Sequence, residues 1–111
     1  MSKIVDKVWG REQWLIEQPE YWCKRLFLEP GRQCSLHYHE KKKETFLVES
    51  GFVQLEHNGE IFLLAPGMQR TILPGEVHRF SADESDPTVK VILEVSTFHS
   101  DEDVVRLEPS R

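Results

Sequence analysis

The sequence predicts an all-β protein built as a sandwich or a closed barrel. Three observations predict it. Short runs rich in β-branched and aromatic residues recur along the chain, separated by Pro-Gly and Asn-Gly turn dipeptides. The clearest run, Pro87 to Thr97, carries Val89, Val91, Leu93 and Val95 at a period of two. No segment of helical length shows a 3.6-residue apolar period.

Each strand follows from its local pattern. Tyr21 to Glu29 is aromatic and aliphatic and stops at Pro30-Gly31. Ser35 to His39 alternates, and Glu44 to Ser50 stops at Gly51. Phe52 to Glu56 runs into His57-Asn58-Gly59, and Asn-Gly is the strongest two-residue hairpin signal. Glu60 to Leu64 is the return strand, ending at Pro66-Gly67. Met68 to Leu73 ends at Pro74-Gly75, and Val77 to Ser81 is short. At least seven strands at this spacing require two packed sheets or a barrel. The charged tail, Ser100 to Arg111, is expected to lie across the outside.

A length of 111 residues fits one domain, residues 1–111, because a chain this short cannot divide its core. No linker, repeat or low-complexity tract interrupts it. The net charge of −5 argues against nucleic acid, which needs a basic surface. The first ten residues carry no apolar signal core, and the longest apolar run, Ile61 to Pro66, is too short to span a bilayer. A cytosolic location is therefore expected, with no membrane partner. Cys23 and Cys34 are then free thiols.

Four residues point to a metal. His37 and His39 are two apart on a strand and share a face, with Tyr38 on the other. A turn of Glu40 and three lysines leads to Glu44, which opens the next strand. His78 opens a further strand beyond Pro74-Gly75. Imidazoles and a carboxylate converging on one point suit one divalent ion of Mn, Fe, Co, Ni or Zn. A solvated His-x-His pair is the simpler alternative for His37 and His39 taken alone.

The spacing extends beyond those four. Gly31, five residues, His37-x-His39, four residues, Glu44, six residues and Gly51 resemble the first cupin motif position for position. Gly67, a Pro-Gly turn and His78, eleven residues after that glycine, resemble the second, though Ala82 stands where the family has Asn. Together they occupy residues 31–82. The resemblance implies a single-domain cupin, a jelly-roll β-barrel, with His37, His39, Glu44 and His78 around a metal inside it. Val8-Trp9-Gly10, Cys23 to Leu26, Ser35 to His39, and Asp101 to Leu107 resemble the type II phosphomannose isomerase cupins. Lys43 to Phe46, Gly67 to Phe80 with Gln69, Thr71 and Pro74, and Glu94 to Thr97 are similar to D-lyxose isomerases. Both groups interconvert aldoses and ketoses.

The residues admit that chemistry on their own terms. Moving a proton between adjacent carbons needs an electrophile at the oxygens and a base at carbon. On the last long strand Lys90, Ile92, Glu94 and Ser96 share the face opposite the valines. If that face lines the barrel mouth, Glu94 is the general base; the alternative is a solvent-facing carboxylate. Lys24 alternates with Leu26 and Leu28, so a charge sits on an apolar face. It either binds a sugar hydroxyl or phosphate or snorkels from a strand end. Lys41 to Lys43 is expected to be a solvated turn, and His57 and His99 to be surface residues. Trp9, Trp14 and Trp22 read as barrel plugs or dimer contacts rather than sugar-stacking platforms. The expected function is a metal-dependent isomerase of a sugar or sugar phosphate. A small cupin dioxygenase and a non-catalytic sugar-binding module stay open. Exposed sheet edges predict a homodimer.

Overall fold

The computed structural model describes residues 3–97 and 100–111. Eleven strands lie among these residues: β1 (Lys3–Lys7), β2 (Gly10–Glu17), β3 (Trp22–Leu28), β4 (Leu36–His39), β5 (Glu44–Ser50), β6 (Val53–His57), β7 (Glu60–Leu64), β8 (Gln69–Ile72), β9 (His78–Ser81), β10 (Lys90–Ser96) and β11 (Val104–Glu108). They form a six-stranded sheet, ordered β1-β2-β3-β10-β5-β8, and a five-stranded sheet, ordered β11-β4-β9-β6-β7. Every described strand pair is antiparallel. The architecture is the all-β, two-sheet one that period and turn signals predict.

Alternation sets the core. On β3 Lys24, Leu26 and Leu28 point inward. On β5 Glu44, Phe46 and Val48 do the same, and on β6 Val53, Leu55 and His57. Leu64, Ile72, Phe80 and Ile92 complete the apolar layer between the sheets. The β6–β7 hairpin closes on Asn58 and Gly59, with φ of 51° and 83°. Both central residues of a type I′ turn need positive φ, and Asn-Gly meets that need at low cost. Gly51 also has positive φ, and a Cβ there would collide with the Lys90 stem.

On β10 the apolar side of the alternation faces out. Lys90, Ile92, Glu94 and Ser96 are buried, while Val91 and Leu93 are half-buried and Val95 is exposed on the outer face. The inward side carries the polar residues because part of the space between the sheets is a polar site rather than core.

Three strands exceed those predicted. The β1–β2 hairpin pairs with β3 through Gly10↔Leu28 to Glu17↔Trp22. Within its two strands Glu12 is the one buried side chain, so they have no apolar alternation to reveal them. The tail does not simply cross the exterior. A 3-10 turn at Asp101–Asp103, capped by Ser100 Oγ, leads into β11, which pairs with β4 through Val104↔His39 and Arg106↔His37. Backbone pairing at a sheet edge holds this strand, which is why its side chains are not periodic. His99 lies outside the described residues.

Trp9 is buried between the sheets, edge-on to Phe80 with ring centroids 5.0 Å apart. Its carbonyl accepts from the Glu29 N–H (2.9 Å). Trp9 is thus a plug of the chain's own core. Trp9→Ala is expected to lower unfolding free energy by about 3–5 kcal/mol, the range for truncating a buried aromatic. Urea titration checks this, and a loss under about 1 kcal/mol would show that the hairpin closes without it.

Candidate metal centre

Three strands deliver the site. β4 carries His37 and His39, β5 opens with Glu44, and β9 opens with His78, which pairs with His37 across the sheet. One ligand atom from each of these four residues lies within 4.8 Å of all the others. They line or border a cavity of about 490 Å³, which also takes in Lys24, Lys42, Glu94 and Trp14.

The hydrogen bonds turn the imidazoles inward. His37 Nδ1 donates to the Ser35 carbonyl (2.7 Å), and His78 Nδ1 donates to the Glu76 carbonyl (3.0 Å). His39 Nδ1 faces Asp103 at 3.9 Å. The two hydrogen bonds fix the tautomers of His37 and His78 and leave their Nε2 atoms for a ligand. Burial pushes the His37 imidazole down to about 3, with His78 adding to the shift. Burial also pushes His39 down to about 4, although Glu44 pulls the other way. Both rings are therefore neutral at pH 7, the form that binds metals.

Glu44 Oε1 lies 2.7 Å from His78 Nε2 and 3.5 Å from His39 Nε2. Yet neither Glu44 Oε1 nor His78 Nε2 makes a hydrogen bond. With His78 Nδ1 directed at the Glu76 carbonyl, its Nε2 and Glu44 Oε1 face each other in a dry interior. A cation or an added proton must lie between them. Three nitrogens and one oxygen suit a borderline divalent ion. The residues present therefore fit such an ion.

A second polar group lies beside the first. Lys42 does not belong to a solvated turn: its side chain is 3% exposed, and Nζ lies 2.9 Å from Glu94 Oε2 and 3.1 Å from Glu44 Oε2. The turn is drawn in because Asp103 accepts from the N–H groups of Lys41 (2.9 Å) and Lys42 (3.0 Å). Thr97 Oγ1 accepts from the Lys43 N–H (3.1 Å). Burial disfavours the Lys42 charge, but Glu94 and Glu44 outweigh it and raise its pKa above the ordinary lysine value. Burial likewise opposes the Glu44 charge, and Lys42 with His78 holds its carboxyl well below the usual range.

Glu94 is buried and inward, directly opposite Lys24 on β3 and Phe46 on β5. Lys24 is also buried. Its Nζ lies 3.5 Å from Glu12 Oε1 and 4.8 Å from the Trp14 ring centre. Trp14 Nε1 donates to the same Glu12 oxygen (2.9 Å). The structure thus brings Glu94 and Lys24 into one cavity with the four candidate ligands. Glu12 and Lys42 are additional members. Glu12 has no signal in the sequence, because β2 carries too little apolar alternation to show which of its residues face inward.

His57 is not a surface residue. It is the last residue of β6, shares the inward parity of Val53 and Leu55, and is 8% exposed. Arg70 Nε donates to its Nδ1 (2.7 Å), and Nε2 faces Glu76 at 3.1 Å. The tight Asn58-Gly59 turn keeps His57 within the ladder rather than the loop.

The comparisons with known proteins bear on the fold and the family. A relative, mannose-1-phosphate guanylyltransferase ManC of Salmonella typhimurium, is 26% identical over 97% of this chain, which spans 22% of that relative's length. The chain thus spans about a fifth of the curated relatives it matches. The capsular polysaccharide assembling protein CapF of Staphylococcus aureus superposes with a TM-score of 0.84 at 22% identity, over 97% of this chain and 32% of that one. An RmlC-like cupin from Shewanella frigidimarina gives a TM-score of 0.79 at 19% identity, over 91% of this chain and 87% of the other. The fold is a cupin barrel, as the motif spacing predicts. A family model described as Mannose-6-phosphate isomerase C-terminal matches residues 1–109, and the chain belongs to that family.

Proposed function

We propose that this chain is a metal-dependent aldose–ketose isomerase acting on a sugar or sugar phosphate. One observation carries this reading: a largely buried set of three imidazoles and one carboxylate borders the cavity that holds a second carboxylate, Glu94. A divalent ion on His37, His39, Glu44 and His78 would supply a Lewis acid for the carbonyl and hydroxyl oxygens of the sugar. Glu94 takes the proton from C2 of the aldose and returns it to C1, while the proton of the C2 hydroxyl passes to the C1 oxygen. Lys24, held by Glu12, contacts a sugar hydroxyl or phosphate. The surrounding Trp14, Leu26 and Phe46 limit water at the reacting carbons. Family membership supports a sugar-related substrate.

No helix among the described residues is long and apolar enough to cross a membrane. We take the compartment to be the cytosol and the partner to be a small molecule. We also propose a homodimer. The N-terminal hairpin packs on its own chain, so the outer face of the six-stranded sheet, with Leu47, Val91, Leu93 and Val95, is the surface for a second copy.

The protein should bind one divalent ion per chain. His37→Ala combined with His39→Ala should abolish binding without loss of the β-sheet circular dichroism spectrum. Full stoichiometry in that double variant would remove these histidines from the site. Metal analysis of the purified protein identifies the ion.

The isomerase step is tested by deuterium. The loaded protein in heavy water should place deuterium at C2 of an aldose or aldose phosphate, read by mass spectrometry. Glu94→Gln should lower turnover by about two to four orders of magnitude, the usual contribution of a positioned base. Lys24→Met should act mainly on KM. No incorporation across pentoses, hexoses and their phosphates would sink the isomerase. Oxygen uptake with a phenol or thiol would then indicate the dioxygenase, and sugar binding without turnover would indicate a binding module.

Sedimentation checks the dimer. A two-chain species at micromolar concentration should dissociate when Leu93→Asp is introduced. A stable wild-type monomer would count against the pairing.

A further inference from the structure

Two buried carboxylates stand beside the candidate metal position, and only one of them belongs to the ligand set. Lys42 lies between them, with Nζ 3.1 Å from Glu44 Oε2 and 2.9 Å from Glu94 Oε2. It takes one oxygen of each. The oxygen it leaves on Glu44 is Oε1, the one that faces His78 and His39. A free carboxylate can bind a divalent ion through both oxygens. A charge-assisted hydrogen bond to one oxygen opposes that mode. Glu94 is anchored the same way, and an ammonium between it and the ligand set also repels a dication approaching from that side.

The placement of Lys42 is built rather than incidental. Asp103 receives the N–H groups of both Lys41 and Lys42, and Thr97 pairs with Lys43 through its side chain and backbone. These contacts pin the Glu40–Lys43 turn against the 3-10 turn before β11 and against the end of β10. The side chain then has one course, into the cavity.

We propose that Lys42 is a positioning residue that divides the two carboxylates by role. It holds Glu44 to one-oxygen ligation and keeps Glu94 off the metal, free to reach substrate. This rests on the metal-centre reading above. A lysine suits the task because a compact ammonium reaches two separate carboxylates, whereas the planar fork of arginine favours one.

The test is Mn(II) bound to the wild-type chain and to Lys42→Met, which keeps the length of the stem and removes the charge. Affinity is read by calorimetry, and metal-bound water by proton relaxation. Loss of Lys42 should let Glu94 replace a water on the metal. Mn(II) should bind about tenfold more tightly, the scale of outer-contact effects on metal sites, and relaxivity should fall. The double variant Lys42→Met with Glu94→Gln should restore both values toward wild type. A merely structural lysine would instead give weaker binding that Glu94→Gln does not correct. Unchanged or weaker binding in a folded Lys42→Met, confirmed by thermal melting, overturns the proposal while leaving the metal centre intact. Should Lys42→Met fail to fold, Glu94→Gln alone decides. With Lys42 present it should leave Mn(II) affinity and relaxivity near wild type, and a tenfold loss would mean that Glu94 is already a ligand. Failure of the wild-type chain to bind Mn(II), Fe(II), Co(II), Ni(II) or Zn(II) overturns both readings together.

Discussion

Glu44 is 1% exposed in its side chain, and a carboxylate at that depth must be compensated on every side. Much of the polar architecture serves that requirement. Lys42 supplies a cation on one oxygen, and His39 and His78 face the other. These three come from the β4–β5 turn, β4 and β9, so a turn and two strands of the five-stranded sheet must meet at the start of β5 in the other sheet. β10 contributes through Glu94, the second partner of Lys42. The apolar core of Leu26, Val48, Leu55, Ile72 and Ile92 holds the sheets together, but it does not dictate which residues lie at the mouth. The buried charge does.

The same requirement explains the tail. Lys42 can reach Glu44 only if the Glu40–Lys43 turn folds inward, which strands its backbone N–H groups. Asp103 receives two of them, and its carbonyl receives the N–H of Glu40 (3.1 Å). β11 begins at the next residue and pairs with β4 directly beside His39 and His37. One segment therefore closes a sheet edge, caps the lysine turn and stands behind a candidate ligand. An edge strand with ragged burial is stable here because it completes hydrogen bonds that nothing else satisfies.

What could be seen in the sequence follows from these roles. The period of two and the Asn-Gly turn are local, so the strands from Tyr21 to Thr97 were legible. His37, His39 and Glu44 are close in sequence and His78 follows a turn signal, so the ligand set was legible as a spacing. The inward parity of Glu94 and Lys24 could be read from their neighbours. Lys42 could not. It is one of three adjacent lysines, and nothing local separates it from Lys41 and Lys43; Asp103, sixty-one positions away, selects it. His57 next to Asn58-Gly59 looks like part of the turn, but a type I′ turn leaves the residue before it in the ladder, paired here with Glu60. β1, β2 and β11 are invisible for a shared reason: backbone pairing at or next to a sheet edge holds them, and they carry little apolar alternation.

The polar residues form a row when followed from strand to strand. Glu12 on β2 meets Lys24 on β3; Lys24 stands opposite Glu94 on β10; Glu94 meets Lys42, and Lys42 meets Glu44 on β5. Signs alternate along the row, so each buried charge has an opposite neighbour and no large field survives within it. Three acidic and two basic groups leave one formal negative charge, at the end of the row that faces the imidazoles. A divalent ion there would convert the excess to one positive charge. A cavity of that sign suits a reaction in which negative charge grows on a substrate oxygen, because the stabilising charge is in place before the reaction begins. It also disfavours full desolvation of a neutral, apolar substrate, which offers nothing to meet the excess. The alternating row thus serves two ends at once: it makes burial of five ionisable side chains tolerable, and it sets the charge that a ligand entering the barrel encounters.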